Sequence, residues 1–92
     1  MNLSELEHSL RQAGIFDTFG ISQLGVFGSF ARNEAYNDID FLLEDDLDFS
    51  TRQLLKKRLR TLLKIPIDLV PKKFADPIIL YRASKDLVYV KK

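Results

Sequence analysis

The chain has 92 residues, of which 46% are hydrophobic, and this supports one packed core without room for another, so we expect a single domain over residues 1–92. A formal net charge of +1 gives no broad attraction to nucleic acid or to a membrane surface. Cysteine is absent, which excludes disulfides and zinc–thiolate sites and is compatible with a reducing cytoplasm.

The first predicted element is an amphipathic helix. Ser4 to Glu7 form a possible capping box, and Gly14 is placed to end the helix. Its apolar stripe consists of Leu3, Leu6, Leu10 and Ala13. The chain begins without the basic segment or apolar run of a signal peptide, and no apolar stretch is long enough to span a bilayer. We therefore expect a cytoplasmic protein with no membrane partner.

A short strand and a tight turn are predicted next. Gln23–Phe27 is typical of an apolar strand, and Gly28 can turn the backbone tightly and let a ligand come close. Ser29 offers a hydroxyl and a backbone N–H where a helix could begin at Phe30. Such a turn suits phosphate, although Gly-Ser alone also occurs in many ordinary turns.

The predicted strand Asp38–Leu43 carries two carboxylates. Because side chains alternate across a strand, Asp38 and Asp40 should share one face, and the apolar residues between and after them should share the other. Like charges that point the same way cost stability unless a cation lies between them, and a hard divalent cation takes oxygen ligands. The pattern indicates magnesium.

A crossover helix is predicted to bring a third carboxylate to the same face. Ser50 to Gln53 form a second possible capping box. The apolar face of this helix consists of Leu54, Leu55, Leu59, Leu62 and Leu63. It leads into a strand over residues 65–70, and a strand–helix–strand succession favours a right-handed crossover and parallel pairing. Asp68 would then lie beside the strand that carries Asp38 and Asp40.

The remaining elements complete a small α/β (α+β) domain with a mixed sheet flanked by helices. Asp76 is a predicted N-cap, Pro77 follows at the first helical position, and residues 78–81 supply apolar surface. A last short strand is predicted over Leu87–Val90.

Several charged groups also have simpler interpretations. The acidic run over residues 44–48 is expected to be a solvated loop that favours the N-terminus of the following helix. Arg32 could reach a phosphate, and an ion pair with Glu34 or Asp38 would explain it as well. Asp38 or Asp68 taken singly could cap a turn, whereas Asp40, in mid-strand between apolar residues, is costly to bury unpaired.

The segments Gly25–Glu34 and Asp38–Glu44 together resemble the signature of the polymerase-beta-like nucleotidyltransferases. Within that superfamily the chain is most similar to the minimal nucleotidyltransferases, which are encoded beside HEPN-domain partners in prokaryotic toxin–antitoxin pairs. Asp68, between Ile67 and Leu69, matches the third acidic position of the family. The resemblance covers nearly the whole chain and implies the polymerase-beta-like nucleotidyltransferase fold.

The same resemblance implies transfer of AMP from ATP to a hydroxyl, with a tyrosine of a HEPN toxin as the acceptor. The phosphate-binding residues would be Gly28, Ser29 and Arg32. Asp38 and Asp40 would hold magnesium against the triphosphate, and Asp68 would complete a second metal site and help deprotonate the attacking hydroxyl. Two metal ions can stabilise both the entering and the leaving oxygen of such a displacement.

Two departures from the family pattern leave another class of function open. Asn33 stands where family members usually have glycine, and the loop before Asp38 is shorter than usual. A catalytically impaired antitoxin that neutralises its partner by binding alone is therefore the alternative. A small polymerase-like enzyme acting on nucleic acid is less favoured, because the net charge is only +1. The sequence leaves homo-oligomerisation open.

Overall fold

Five helices and four strands make up the chain. The computed structural model describes all residues, Met1–Lys92. In chain order the elements are α1 (Leu3–Gln12), α2 (Ile15–Phe19), β1 (Gln23–Phe27), α3 (Gly28–Ala31), β2 (Ile39–Leu43), α4 (Phe49–Leu63), β3 (Ile67–Pro71), a 3-10 turn (Lys72–Phe74), α5 (Pro77–Asp86) and β4 (Val88–Lys91). β1 has the predicted bounds.

The four strands form one mixed sheet in the order β3-β2-β1-β4. β1 is antiparallel to both β2 and β4, whereas β2 and β3 are parallel. α4 is the crossover between the two parallel strands, so the pairing predicted from the strand–helix–strand succession is confirmed. The predicted mixed-sheet α/β domain is confirmed with it.

The hydrophobic core lies between one face of the sheet and the helices α1, α2 and α4. Alternate residues of the strands, such as Val26 of β1 and Phe41 of β2, are fully buried in it. The helices contribute Leu6, Leu10, Ile15, Phe16, Leu55 and Leu59. α5 packs over β1 on the opposite face. By alternation along β2, Asp40 belongs to this second face and lies outside the core.

Both predicted capping boxes were wrong by two residues. Asn2, not Ser4, caps α1 and forms the capping box with Glu5. Asp48, not Ser50, caps α4, and its carboxylate accepts a hydrogen bond of 2.7 Å from the backbone N–H three residues later. Each segment contains two side chains that could cap the helix, two residues apart. The earlier one has the extended backbone that an N-cap requires, so the helix begins directly after it. The acidic run therefore supplies a specific cap as well as a solvated loop.

Other bounds also differ from the prediction. α3 begins at Gly28 instead of Phe30, and β2 begins at Ile39, so Asp38 precedes the strand. β3 begins at Ile67 because Pro66 has no backbone N–H to donate to a strand pair. Leu54, predicted on the apolar face of α4, is 61% exposed.

The last helix begins as predicted, whereas one short helix was not foreseen. Asp76 caps α5 by accepting a hydrogen bond of 2.7 Å from the backbone N–H of Ile78, and Pro77 occupies the first turn. α2 was missed because it has only five residues. None of the helices combines the length and the apolar character needed to cross a membrane.

Candidate active site

The candidate site residues meet at one edge of the sheet, where β1 ends and where β2 and β3 begin. Because β1 is antiparallel to β2, Gly28 and Ser29 follow β1 at this edge. Asp40 and Asp68 are each the second residue of their strand, and they are register partners in the parallel pair. Register partners project to the same face, so the crossover places two carboxylates side by side.

Gly28 lies directly against Asp40. A Cβ atom built on Gly28 would overlap Oδ2 of Asp40, and it would lie 3.2 Å from Cγ of the same carboxylate. Gly28 also has φ of +78°, in the left-handed region that favours glycine. No other residue type satisfies both conditions without a shift. The turn that precedes Ser29 is therefore fixed against the aspartate strand.

The electrostatics of the edge converge on Asp40, which is partly buried. Burial, together with the smaller effects of the Asp38 and Asp68 charges, raises the pKa of its carboxyl to about 6, and the charge of Arg32 opposes this rise. Asp38 and Asp68 therefore lie close enough to Asp40 for their charges to repel its carboxylate. A cation bound among them would remove the cost of ionising Asp40.

The three aspartates do not form a closed metal cage. Asp38 and Asp68 are exposed, and no group of three His, Cys, Asp or Glu side chains is arranged to hold a metal ion by itself. Magnesium in nucleotide-dependent enzymes is commonly held by one or two carboxylates together with substrate phosphates and water. The oxygen donors of the aspartates and the raised pKa of Asp40 would fit such a shared site, in which phosphate oxygens and water would complete the coordination.

The edge is open to solvent, without the walls of a deep pocket. The largest depression on the surface, about 530 Å³, lies between α2 and α4 and is lined in part by Phe19, Leu54 and Lys57. None of the three aspartates lines any cavity of the structure. The site is therefore identified by the chemistry of the three aspartates and not by a cavity.

Arg32 makes two ion pairs at the end of α3. Its Nε donates to Glu34 at 3.0 Å and its Nη1 donates to Asp86 at 2.7 Å. The pair with Glu34 is one of the alternatives expected from the sequence, whereas Asp38 is not a partner. Asp86 was missed because it lies 54 residues away along the chain, and no local pattern connects the two.

Asn33 follows in the left-handed conformation. Its φ is +60°, and the backbone N–H of Glu34 donates to the carbonyl of Ser29 at 3.0 Å, which closes the turn after α3. Asparagine tolerates this conformation better than most residues. The replacement of the usual glycine by Asn33 therefore leaves the left-handed turn in place.

Comparison with known proteins gives a family and a named relative. The model of the nucleotidyltransferase domain matches residues 5–90. The protein adenylyltransferase MntA of Thermococcus cleftensis is 31% identical over 96 residues, which covers 98% of this chain and 97% of that protein.

Solved structures share the fold. A toxin–antitoxin crystal structure with AMP-PNP gives a TM-score of 0.71 at 22% identity, over 91% of this chain and 71% of that one. The complex of tri-AMPylated Shewanella oneidensis HEPN toxin with MNT antitoxin gives a TM-score of 0.66 at 20% identity, over 96% of this chain and 71% of that one. The fold implied by the sequence resemblance is confirmed.

Proposed function

Because the chain belongs to the nucleotidyltransferase domain family, we propose that it is a metal-dependent protein adenylyltransferase that transfers AMP from ATP to a tyrosine hydroxyl of a HEPN-domain toxin. The observation that carries this function is the Asp40 carboxylate, which lies against Gly28 and beside its register partner Asp68. A turn suited to phosphate and a set of carboxylates suited to a cation thus adjoin. A complex of a metal ion with a triphosphate would match both parts, because its cation suits the carboxylates and its phosphates suit the turn.

The relatives support both the donor and the acceptor. MntA carries the name protein adenylyltransferase, one structure of the same fold contains an ATP analogue, and another contains a HEPN toxin that bears AMP groups. We extend to this chain ATP as the substrate and a HEPN toxin as the partner, in an antitoxin of the cytoplasm.

The residues of the edge divide into two groups by role. Gly28 and Ser29 bind the terminal phosphates of ATP, and Asp38 and Asp40 would hold magnesium. Magnesium held there would supply charge neutralisation at the triphosphate, and a second ion held by Asp68 would supply it at the entering and leaving oxygens.

The transfer is an in-line displacement at the α-phosphorus. The acceptor hydroxyl oxygen forms the new bond to this phosphorus, the bond from the phosphorus to the bridging oxygen of the β-phosphate breaks, and pyrophosphate leaves. Asp68 accepts the proton of the hydroxyl, for which its exposure at the edge leaves room.

An antitoxin that acts by contact alone is the second candidate. It is favoured by the absence of a preformed group of three metal ligands and by the exposure of Asp38 and Asp68. In that case the carboxylates would have no catalytic role, and substitution at the edge would leave neutralisation of the toxin intact.

The Asp40→Asn protein separates the two candidates. Asparagine keeps the shape of the side chain and removes one charge, so labelled AMP from ATP should reach the toxin from the wild-type protein and fall by orders of magnitude with the variant. The control is Asp46→Asn, since Asp46 is an exposed carboxylate that pairs with Lys73 at 3.6 Å and lies in the loop before α4. Full neutralisation of the toxin by Asp40→Asn, without transferred label, would identify a contact-only antitoxin.

A further inference from the structure

The guanidinium of Arg32 is held from two sides. Glu34 accepts from Nε at 3.0 Å and Asp86 accepts from Nη1 at 2.7 Å, whereas Nη2 makes no hydrogen bond within the chain. The backbone N–H of Arg32 donates to the carbonyl of Gly28 at 3.1 Å, so the same residue is tied to the phosphate turn. Arginine presents its donors in a planar fork, so two fixed nitrogens determine where the third one lies.

Asp86 stands at an unfavourable position for an acid. It is the last residue of α5, and a negative charge at a helix C-terminus opposes the helix dipole. Its side chain is only 20% exposed, compared with 57% for Glu34. The contact with Arg32 offsets both costs. It also bridges α5 to α3 at the edge where Gly28 and Asp40 meet.

Arg32 lies near the acidic edge, because its backbone N–H is hydrogen-bonded to the carbonyl of Gly28 and Gly28 lies against the Asp40 carboxylate. With two nitrogens held by carboxylates, a phosphate oxygen can bind Nη2 without breaking either ion pair. Glu34 and Asp86 therefore orient the arginine and leave it a free donor.

We propose that Asp86 is a positioning residue for nucleotide binding: through its ion pair it fixes the Arg32 guanidinium beside the Gly28–Ser29 turn, where Nη2 donates to the triphosphate. This inference rests on the proposed adenylyltransferase function, in which the ligand is ATP. Glu34 assists from the more exposed side.

The direction of the effect distinguishes positioning from simple electrostatics. Asp86→Asn removes a negative charge from the region of the site, and this change alone would strengthen the binding of an anionic triphosphate. Loss of the positioned arginine weakens binding instead. An increase of KM therefore cannot be produced by the charge change itself.

The test compares steady-state AMP transfer and ATP binding in four proteins. Asp86→Asn should raise KM for ATP about tenfold with kcat changed much less, since a donor to a charged group is lost from binding. Asp86→Glu, which keeps the carboxylate, should recover part of the loss. Asp17→Asn is the matched control, because Asp17 is an exposed carboxylate that pairs with Lys92 at 2.6 Å. Its kinetics should equal those of the wild type.

The Arg32→Ala background supplies the final comparison. If Asp86 acts through Arg32, adding Asp86→Asn to Arg32→Ala should cause no further change in KM. The proposal would be overturned if the effects of the two changes on KM were fully additive, or if folded Asp86→Asn had an unchanged or lower KM. The proposed function would still stand in that case, provided that the wild-type protein transfers AMP. A wild-type protein that binds no ATP would overturn both.

Discussion

The carboxylate of Asp40 and the Cα of Gly28 pack so closely that a single added methyl group would overlap Oδ2 of the acid. The contact joins the two halves of the site, because Gly28 precedes the serine of the phosphate turn and Asp40 belongs to the acidic edge. A substitution at either residue should therefore change the position of the other.

Gly28→Ala should destabilise the fold more than Gly20→Ala does. Both glycines have positive φ, at +78° and +64°, so alanine pays a backbone cost of about 1 kcal/mol at each. A Cβ at position 20 meets nothing within 4 Å, whereas one at position 28 meets the Asp40 carboxylate. Urea denaturation of the two variants isolates the overlap as the difference between their free energies of unfolding. Equal losses would mean that Asp40 moves aside freely.

The raised pKa of Asp40 predicts a pH dependence of stability. Its pKa is about 6 in the fold against an ordinary value of 3.8, so the folded state binds this proton more tightly than the unfolded state. The contribution of Asp40 to the free energy of unfolding therefore falls as the pH rises from about 4 to about 6, and it stays constant above that range. After allowance for solvent screening of this partly exposed group, we expect about 1 kcal/mol.

The Asp40→Asn protein should lack this dependence and be the more stable of the two at neutral pH. Denaturation series without metal, at pH values on both sides of the window, would measure the difference. Asp46→Asn should follow the wild-type curve, because its carboxylate is 76% exposed. A constant difference between Asp40→Asn and the wild type across the window would show that Asp40 is not perturbed.

Local patterns predicted much of this fold. The bounds of β1 follow from an apolar run that ends at glycine, and the parallel pairing of β2 with β3 follows from the handedness of crossovers. Together they place Asp40 and Asp68 side by side. The roles assigned to these aspartates stay predictions, because they concern a bound metal ion and a nucleotide.

Features that depend on tertiary packing were not predictable in the same way. The ion pair between Arg32 and Asp86 joins residues 54 positions apart, and its existence depends on where α5 ends. Leu54 falls on the helical stripe by spacing, yet it is 61% exposed because no element covers the depression between α2 and α4 at that point. Helical periodicity predicts which face of a helix is apolar, but it does not predict how far the neighbouring element extends over that face.

Substitutions can test which residue is the N-cap of α4. Asp48→Ala should lower the free energy of unfolding by about 1 kcal/mol, because the backbone N–H of Thr51 loses its acceptor. Ser50→Ala should change it by less than about 0.5 kcal/mol, since Ser50 is an exposed residue inside the helix. Thermal or urea denaturation would decide, and a larger loss at Ser50 would restore the cap expected from the sequence.

ATP binding should require both magnesium and Ser29. Without a divalent cation, the carboxylates of Asp38, Asp40 and Asp68 repel a triphosphate, and a bound metal reverses the sign of that interaction. Titration calorimetry should therefore detect ATP only when magnesium is present.

Ser29→Ala should weaken the metal-dependent binding by about tenfold, through loss of a hydroxyl donor to a charged phosphate. Ser22→Ala is the control, because Ser22 is exposed and lies before β1, at the opposite edge of the sheet. Equal affinity for ATP with and without magnesium would contradict the metal site. Equal affinity of Ser29→Ala and wild type, with magnesium still required, would contradict only the role of the turn.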